Sequence, residues 1–148
     1  MNNSLATKTK LLLKKYNIRL KKSMGQNLLI DKTALERIAD AANLSNKDIV
    51  IEIGTGTGLL TKTLAERAGF VYSFETDTKI LKAAKEYLQD HPNITLVNQN
   101  FLEFNIQNLK LPDISSQGIK IVANVPYYIT TPIIEKIIDN KKVWSFTI

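Results

Sequence analysis

Apolar and polar positions change period along this chain of 148 residues. From Thr7 to Tyr16 the spacing is helical, with Leu11, Leu12 and Tyr16 on the apolar side, and the irregular stretch Ser23-Met24-Gly25-Gln26-Asn27 follows. Asp31 reads as a helix N-cap ahead of Leu35, Ile38, Ala39 and Ala42, with Asn43 and Ser45-Asn46-Lys47 closing that helix. The pattern then changes: Ile49-Val50-Ile51-Glu52-Ile53 is a β-branched run ending in a glycine-rich turn, as a buried parallel strand reads. Beyond it the spacing predicts a helix from Leu59 to Arg67, a strand from Phe70 to Phe74, a helix from Lys79 to Leu88 and a strand from Ile94 to Val97. A weak helix from Asn105 to Leu109, a strand from Ile119 to Ala123, a helix from Thr131 to Asp139 and a strand from Val143 follow. Such alternation predicts an α/β fold of Rossmann-like type, a mostly parallel sheet with helices on both faces and right-handed crossovers. Trp144, Phe146 and Ile148 alternate with Ser145 and Thr147 up to the last residue, with no turn or polar tail after them. The expectation is a piece of a longer protein, cut in its fifth strand.

Composition narrows the picture. With 44% hydrophobic and 23% charged residues, disorder is excluded, and the absence of Cys excludes a disulfide framework, zinc-thiolate sites and a cysteine nucleophile. No metal site is expected. No apolar run approaches a membrane span and no signal peptide opens the chain, so a soluble cytoplasmic protein away from membranes is expected. Charge matters once located: residues 1 to 22 hold Lys8, Lys10, Lys14, Lys15, Arg19, Lys21 and Lys22 and no acid, so the formal charge of +6 sits in the leading arm. A basic arm over residues 1 to 22 attracts polyanions, which makes RNA, DNA or an anionic membrane the candidate partners from charge alone, with a solvated, solubilising helix the alternative. Residues 23 to 148 form the second unit, an incomplete ligand-binding domain.

Three groups of residues at strand ends carry candidate chemistry. Glu52-Ile53-Gly54-Thr55-Gly56-Thr57-Gly58 joins a strand to a helix, and its glycines let backbone approach a ligand closely. The dinucleotide fingerprint needs a third glycine where this chain has Leu59, and the phosphate-loop Gly-Lys-Ser/Thr is absent, which disfavours pyrophosphate and triphosphate ligands. The acid Glu52 suits a cationic ligand group instead. Glu75 ends the next strand 19 residues after Gly56, where an acid accepts hydrogen bonds from both ribose hydroxyls of an adenosine-containing ligand; Asp77 beside it reads as a surface carboxylate. Asn124-Val125-Pro126-Tyr127 follows the fourth strand. There a ring can stack on a flat base while the Asn124 oxygen and the Val125 carbonyl accept hydrogens from an exocyclic amine.

Gly25-Gln26-Asn27-Leu28-Leu29, the turn Glu52 to Gly58, Glu75, Asn98-Gln99-Asn100 and Asn124-Val125-Pro126-Tyr127-Tyr128-Ile129-Thr130-Thr131-Pro132 together resemble the ribosomal RNA adenine dimethyltransferases, which use S-adenosylmethionine. Pro132 resembles the small-subunit enzymes more than the erythromycin-resistance methyltransferases. The resemblance runs from about Lys8 to the last residue. It implies that Gln26, Asn27 and the Leu29 backbone hold the cofactor with Glu52, Gly54 and Gly56, Gly54 lying beneath its methionine part. Glu75 would take the ribose hydroxyls, Asn100 the adenine amine, and Asn124 would lie between cofactor and target base, on which Tyr127 stacks. Lys14, Lys15, Lys21 and Lys22 are the candidate RNA contacts. Three residues depart from the common pattern: Asn100 stands where Asp is usual, Thr55 where Pro is frequent, and Thr76 where an aliphatic residue is frequent. Family members run to roughly twice this length, adding two strands and a helical RNA-binding domain.

The reaction implied is transfer of the sulfonium methyl to adenine N6, repeated once, in small-subunit ribosomal RNA by a monomeric enzyme. Catalysis would rest on aligning the amine through Asn124 and Val125, with Pro126 fixing the backbone and Tyr127 adding a cation–π contribution, and with no tuned general base. His91 reads as a surface residue. Two other classes stay open: a non-catalytic RNA-binding or ribosome-assembly module, and a nicotinamide oxidoreductase, against which Leu59 argues. The large-subunit, erythromycin-resistance type of methyltransferase is the third alternative.

Overall fold

The computed structural model describes residues 4–19, 29–112, 119–138, 140 and 143–147. Five parallel strands form one sheet in the order β3-β2-β1-β4-β5: β1 (Ile49–Ile53), β2 (Phe70–Phe74), β3 (Ile94–Val97), β4 (Ile119–Ala123) and β5 (Val143–Thr147). The chain winds outward from β1 in one direction through β2 and β3, then returns to β1's other side with β4. The order therefore reverses between β1 and β4, where open α/β sheets leave a crevice at the carboxyl ends of their strands.

Period-two alternation along β1 divides the core. Ile49, Ile51 and Ile53 pack with Tyr72, Phe74, Ile119, Ile121, Ile133 and Ile137, the last two from α5 (Tyr127–Ile138). Val50 faces the other way, onto Val71, Val122 and residues of α2 (Lys32–Ala41) and α3 (Leu59–Ala65). The helices begin where side chains satisfy their free amides: Asp31 accepts from Thr33 and Ala34 N–H at α2, and Asp77 accepts from Lys79 and Ile80 N–H at α4 (Thr78–Tyr87). Asp77 is thus a helix cap, where the sequence suggested a plain surface carboxylate.

The five predicted strands coincide with the observed ones, and helix ends account for most of the differences. α1 (Leu5–Lys15) starts at a Ser4 cap, two residues before the expected start. This draws Leu5 onto the α2–α3 core cluster and leaves Leu11 57% exposed, off the apolar side expected for it. The weak helix near Asn105 is a single 3₁₀ turn, Ile106–Asn108. α5 begins at Tyr127 rather than Thr131, and Pro132 lies within it.

Candidate functional site

A cavity of about 230 Å³ opens at the switch point. Its floor is the turn after β1, where Gly54 at φ +88 and Gly58 at φ +90 hold a left-handed backbone that disfavours any side chain. A Cβ on Gly54 would reach to 3.6 Å from the Val125 side chain, filling the space between turn and facing wall. The Gly54 and Thr55 amides both donate to the Phe74 carbonyl, at 2.9 and 3.1 Å, which pins the turn to the end of β2.

Glu75 comes off β2 onto the cavity wall. Its Oε2 accepts from Gly56 N–H at 3.1 Å and its Oε1 from Asp77 N–H at 3.0 Å. A carboxylate has about four acceptor sites, so two stay free for a ligand's hydroxyls. Asn98 braces this arrangement from the end of β3, its amide donating to the Glu75 carbonyl at 2.8 Å and to the Thr76 carbonyl at 3.2 Å. Asn100 and Gln99 follow on the wall. The Asn100 side-chain oxygen already accepts from Leu102 N–H at 3.0 Å, which leaves one lone pair for an amine. Asn98 and Gln99 have no role in the sequence reading beyond carrying the resemblance; their signal is their place beside Asn100.

From the other side of the switch point, Asn124, Val125 and Pro126 leave β4 and enter the lining, followed by Tyr128 and Ile129 from the first turn of α5. Asn124 is exposed at the mouth. Tyr127 lies beside the cavity and outside its lining, 96% exposed, so its ring belongs to no core and is open to whatever enters the mouth. Tyr128 replaces it as the tyrosine of the wall. The chain thus brings Leu29, Gly54, Gly56, Glu75, Asn100, Asn124, Val125 and Pro126 around one cavity.

Other candidates fall elsewhere. Glu52 is fully buried on the α3 side of β1 and takes no part in the lining, so it presents no charge to a ligand's cationic group. Its Oε2 accepts from the Thr61 and Ser73 hydroxyls, both at 2.5 Å. Burial pushes this carboxyl up to about 8 against the pull of those two donors, and nearby Glu75 adds to the rise, so it is neutral at pH 7. Lys15 is held by Glu86 of α4 at 2.6 Å, and the Tyr16 hydroxyl donates to the same oxygen at 2.6 Å. Lys14 is exposed. Gln26, Asn27, Lys21 and Lys22 lie outside the described residues. His91 is absent from the cavity wall.

A family model described as ribosomal RNA adenine dimethylase matches residues 17–146. Ribosomal RNA small subunit methyltransferase A of Alkaliphilus oremlandii is 42% identical over 142 residues, which is 95% of this chain and 50% of that protein. Among solved structures, the 23S rRNA methyltransferase ErmE matches with a TM-score of 0.67 and 36% identity, over 79% of this chain and 45% of that one. A dimethyladenosine transferase from Plasmodium falciparum matches with a TM-score of 0.66 and 27% identity, over 81% and 43% respectively. The sheet and its helices are therefore the Rossmann-like methyltransferase fold. The chain spans about half the length of the curated relatives it matches.

Proposed function

The chain belongs to the ribosomal RNA adenine dimethylase family, and we propose that it carries the S-adenosylmethionine half of an enzyme that dimethylates adenine N6 in small-subunit ribosomal RNA. One observation carries the reading: the glycine turn, Glu75, Asn100 and the Asn124-Val125-Pro126 segment meet around a single cavity at the sheet's switch point. The space a Gly54 Cβ would fill and the two free acceptor sites of Glu75 suit a nucleoside with an attached amino-acid chain. When bound, the cofactor supplies an electrophilic methyl group on a positively charged sulfur.

The protein's share is binding and alignment. Glu75 holds the ribose hydroxyls, and Asn100 accepts from the cofactor's adenine amine with its remaining lone pair. At the mouth, the Asn124 oxygen and Val125 carbonyl accept the two hydrogens of the target adenine's amine, which turns the nitrogen lone pair out of the ring and toward the cavity. Tyr127, open to solvent, stacks on the target base and faces the positive charge that grows on nitrogen, a contribution of about 0.5–2 kcal/mol. Asn27 and Gln26 complete the cofactor's cover in this reading, and the basic arm meets the RNA. Ribosomal RNA as the partner, action as a monomer and a cytoplasmic location belong to the same proposal.

Calorimetric titration of the 148-residue chain with S-adenosylmethionine and, separately, NAD tests it. Micromolar affinity for the first and none for the second is expected, with Glu75→Ala weakening binding about 10- to 100-fold through loss of charge-assisted hydrogen bonds. NAD binding, or no response to either ligand from a folded chain, overturns the reading. Mass spectrometry of unmethylated small-subunit RNA after incubation with chain and cofactor then separates an enzyme from a binding module that never transfers the methyl group.

A further inference from the structure

Beneath the glycine turn lie four polar side chains that the reading above leaves without a task. Glu52 of β1, Ser73 of β2, Thr61 of α3 and Thr55 of the turn are all buried. Glu52 and Ser73 are directly paired across β1 and β2, so their side chains stand together on one face of the sheet. Ser73 Oγ and Thr61 Oγ1 each donate to Glu52 Oε2 at 2.5 Å, and Thr55 Oγ1 lies 2.6 Å from Ser73 Oγ. A hydroxyl has one proton to give. Since that of Ser73 goes to Glu52, Thr55 is the donor in the remaining bond. The hydrogen bonds therefore run one way, from Thr55 on the cavity wall through Ser73 to a carboxyl in the interior.

Thr55 stands where the turn most needs a restraint. Both its neighbours, Gly54 and Gly56, have positive φ, and glycine restricts its own backbone least of all residues. The Thr55 carbonyl also receives the Gly58 N–H at 3.0 Å at the start of α3, so a shift of Thr55 would carry the helix entry with it. We propose that Thr55 is a positioning residue: its hydroxyl, bonded through Ser73 to Glu52, tethers the glycine turn to the sheet and keeps the cavity shaped for the cofactor. This rests on the reading of the cavity as an S-adenosylmethionine site and deepens it. The tether ends on a neutral group. Among the described residues, Glu52 Oε1 is buried without a partner, and a negative charge there would stand uncompensated near Glu75.

Amide hydrogen exchange and cofactor titration on the 148-residue wild type, Thr55→Val and Thr55→Ser test the tether. Valine keeps the shape and removes the hydroxyl; serine keeps the hydroxyl. Exchange of the amides of residues 54–58 at least tenfold faster in Thr55→Val, with β1 and β2 unchanged, an S-adenosylmethionine affinity at least tenfold lower, and both restored in Thr55→Ser, is the expected result. Unchanged exchange in Thr55→Val overturns the tether, and faster exchange with unchanged affinity overturns its role in positioning. Should Thr55→Val fail to fold, Ser73→Ala, which removes the acceptor, is held to the same exchange and affinity criteria. A wild type that takes no S-adenosylmethionine defeats the cofactor reading, and the exchange rates then decide the tether by themselves.

Discussion

Asp48 immediately precedes β1 and Glu52 lies within it, both buried, and their carboxyls shift in opposite directions. Burial pushes Asp48 upward, yet the Ser45 amide and hydroxyl and Lys120, at 3.2 Å, outweigh it and keep the carboxyl below its usual range. Among the described residues Glu52 has two neutral hydroxyls beside it and no cation, and burial wins. The native state therefore keeps a proton that the unfolded chain releases above about 4.5. Glu52's contribution to stability is complete below that value, falls as pH rises to about 8, and is level beyond. Glu52→Gln cannot titrate, so its melting temperature should gain on the wild type by about 5–10 °C between pH 5 and pH 8 and stay parallel above. A difference that is constant with pH would mean Glu52 is ionised in the native state. Glu75 was readable from sequence because an acid directly after a strand lies at the sheet edge whatever the packing. Glu52 is misleading in sequence because it stands one residue inside the strand, where period two sends it under α3 with Val50, and Thr61, nine residues on, is the signal of its partner.

Strand positions follow from short apolar runs between turns, and the central strands β1, β2 and β4 are buried along nearly their whole length, which leaves little choice of residue, whereas β3 at the edge is only partly buried. Helix starts were harder. The sequence puts the start of α5 too late because Ile129-Thr130-Thr131 is β-branched and Pro132 has no amide to bond the Tyr128 carbonyl one turn back. Packing of Ile133 and Ile137 into the sheet's core overrides that local preference. The turn from β1 into α3 was legible as glycine-rich, whereas the partner that demands its last glycine lies thirty residues away in sequence and could not be read. A Cβ on Gly58 would stand 2.9 Å from Leu88 Cδ1 and 3.0 Å from its Cγ, at the end of α4, on top of the left-handed backbone. Gly58→Ala should therefore destabilise the chain by about 2–4 kcal/mol, combining strain with overpacking. Adding Leu88→Ala opens space for the new methyl group, so in chemical denaturation the double variant should lose less than the two single losses combined. Strict additivity would show that backbone strain alone sets the cost.

At the scale of the whole molecule, charge and cavity occupy different elements. The cations of α1 lie on a helix that touches the domain through Leu5 and through the Lys15 and Tyr16 bonds to Glu86 on α4. Glu86 is held below its usual range by Lys15 first and Tyr16 second, so that surface contact already pairs one of the arm's charges. Lys8, Lys10 and Lys14 are exposed and face solvent on the same helix. For an RNA ligand, each phosphate that a lysine neutralises releases counterions and steepens the salt dependence of log K by about 0.7–0.9. Replacing Lys8, Lys10 and Lys14 together by Ala should thus flatten that slope by about 2 for a short RNA hairpin, with S-adenosylmethionine affinity unchanged, because none of the three lines the cavity. Lys15→Ala should change the slope less than any of them, since its charge is already engaged with Glu86. Fluorescence anisotropy between 50 and 200 mM salt, on the order of the range where such slopes are measured, distinguishes the cases. A slope that survives the triple replacement would assign the arm's charge to solubility and move the RNA contact onto residues beyond α1.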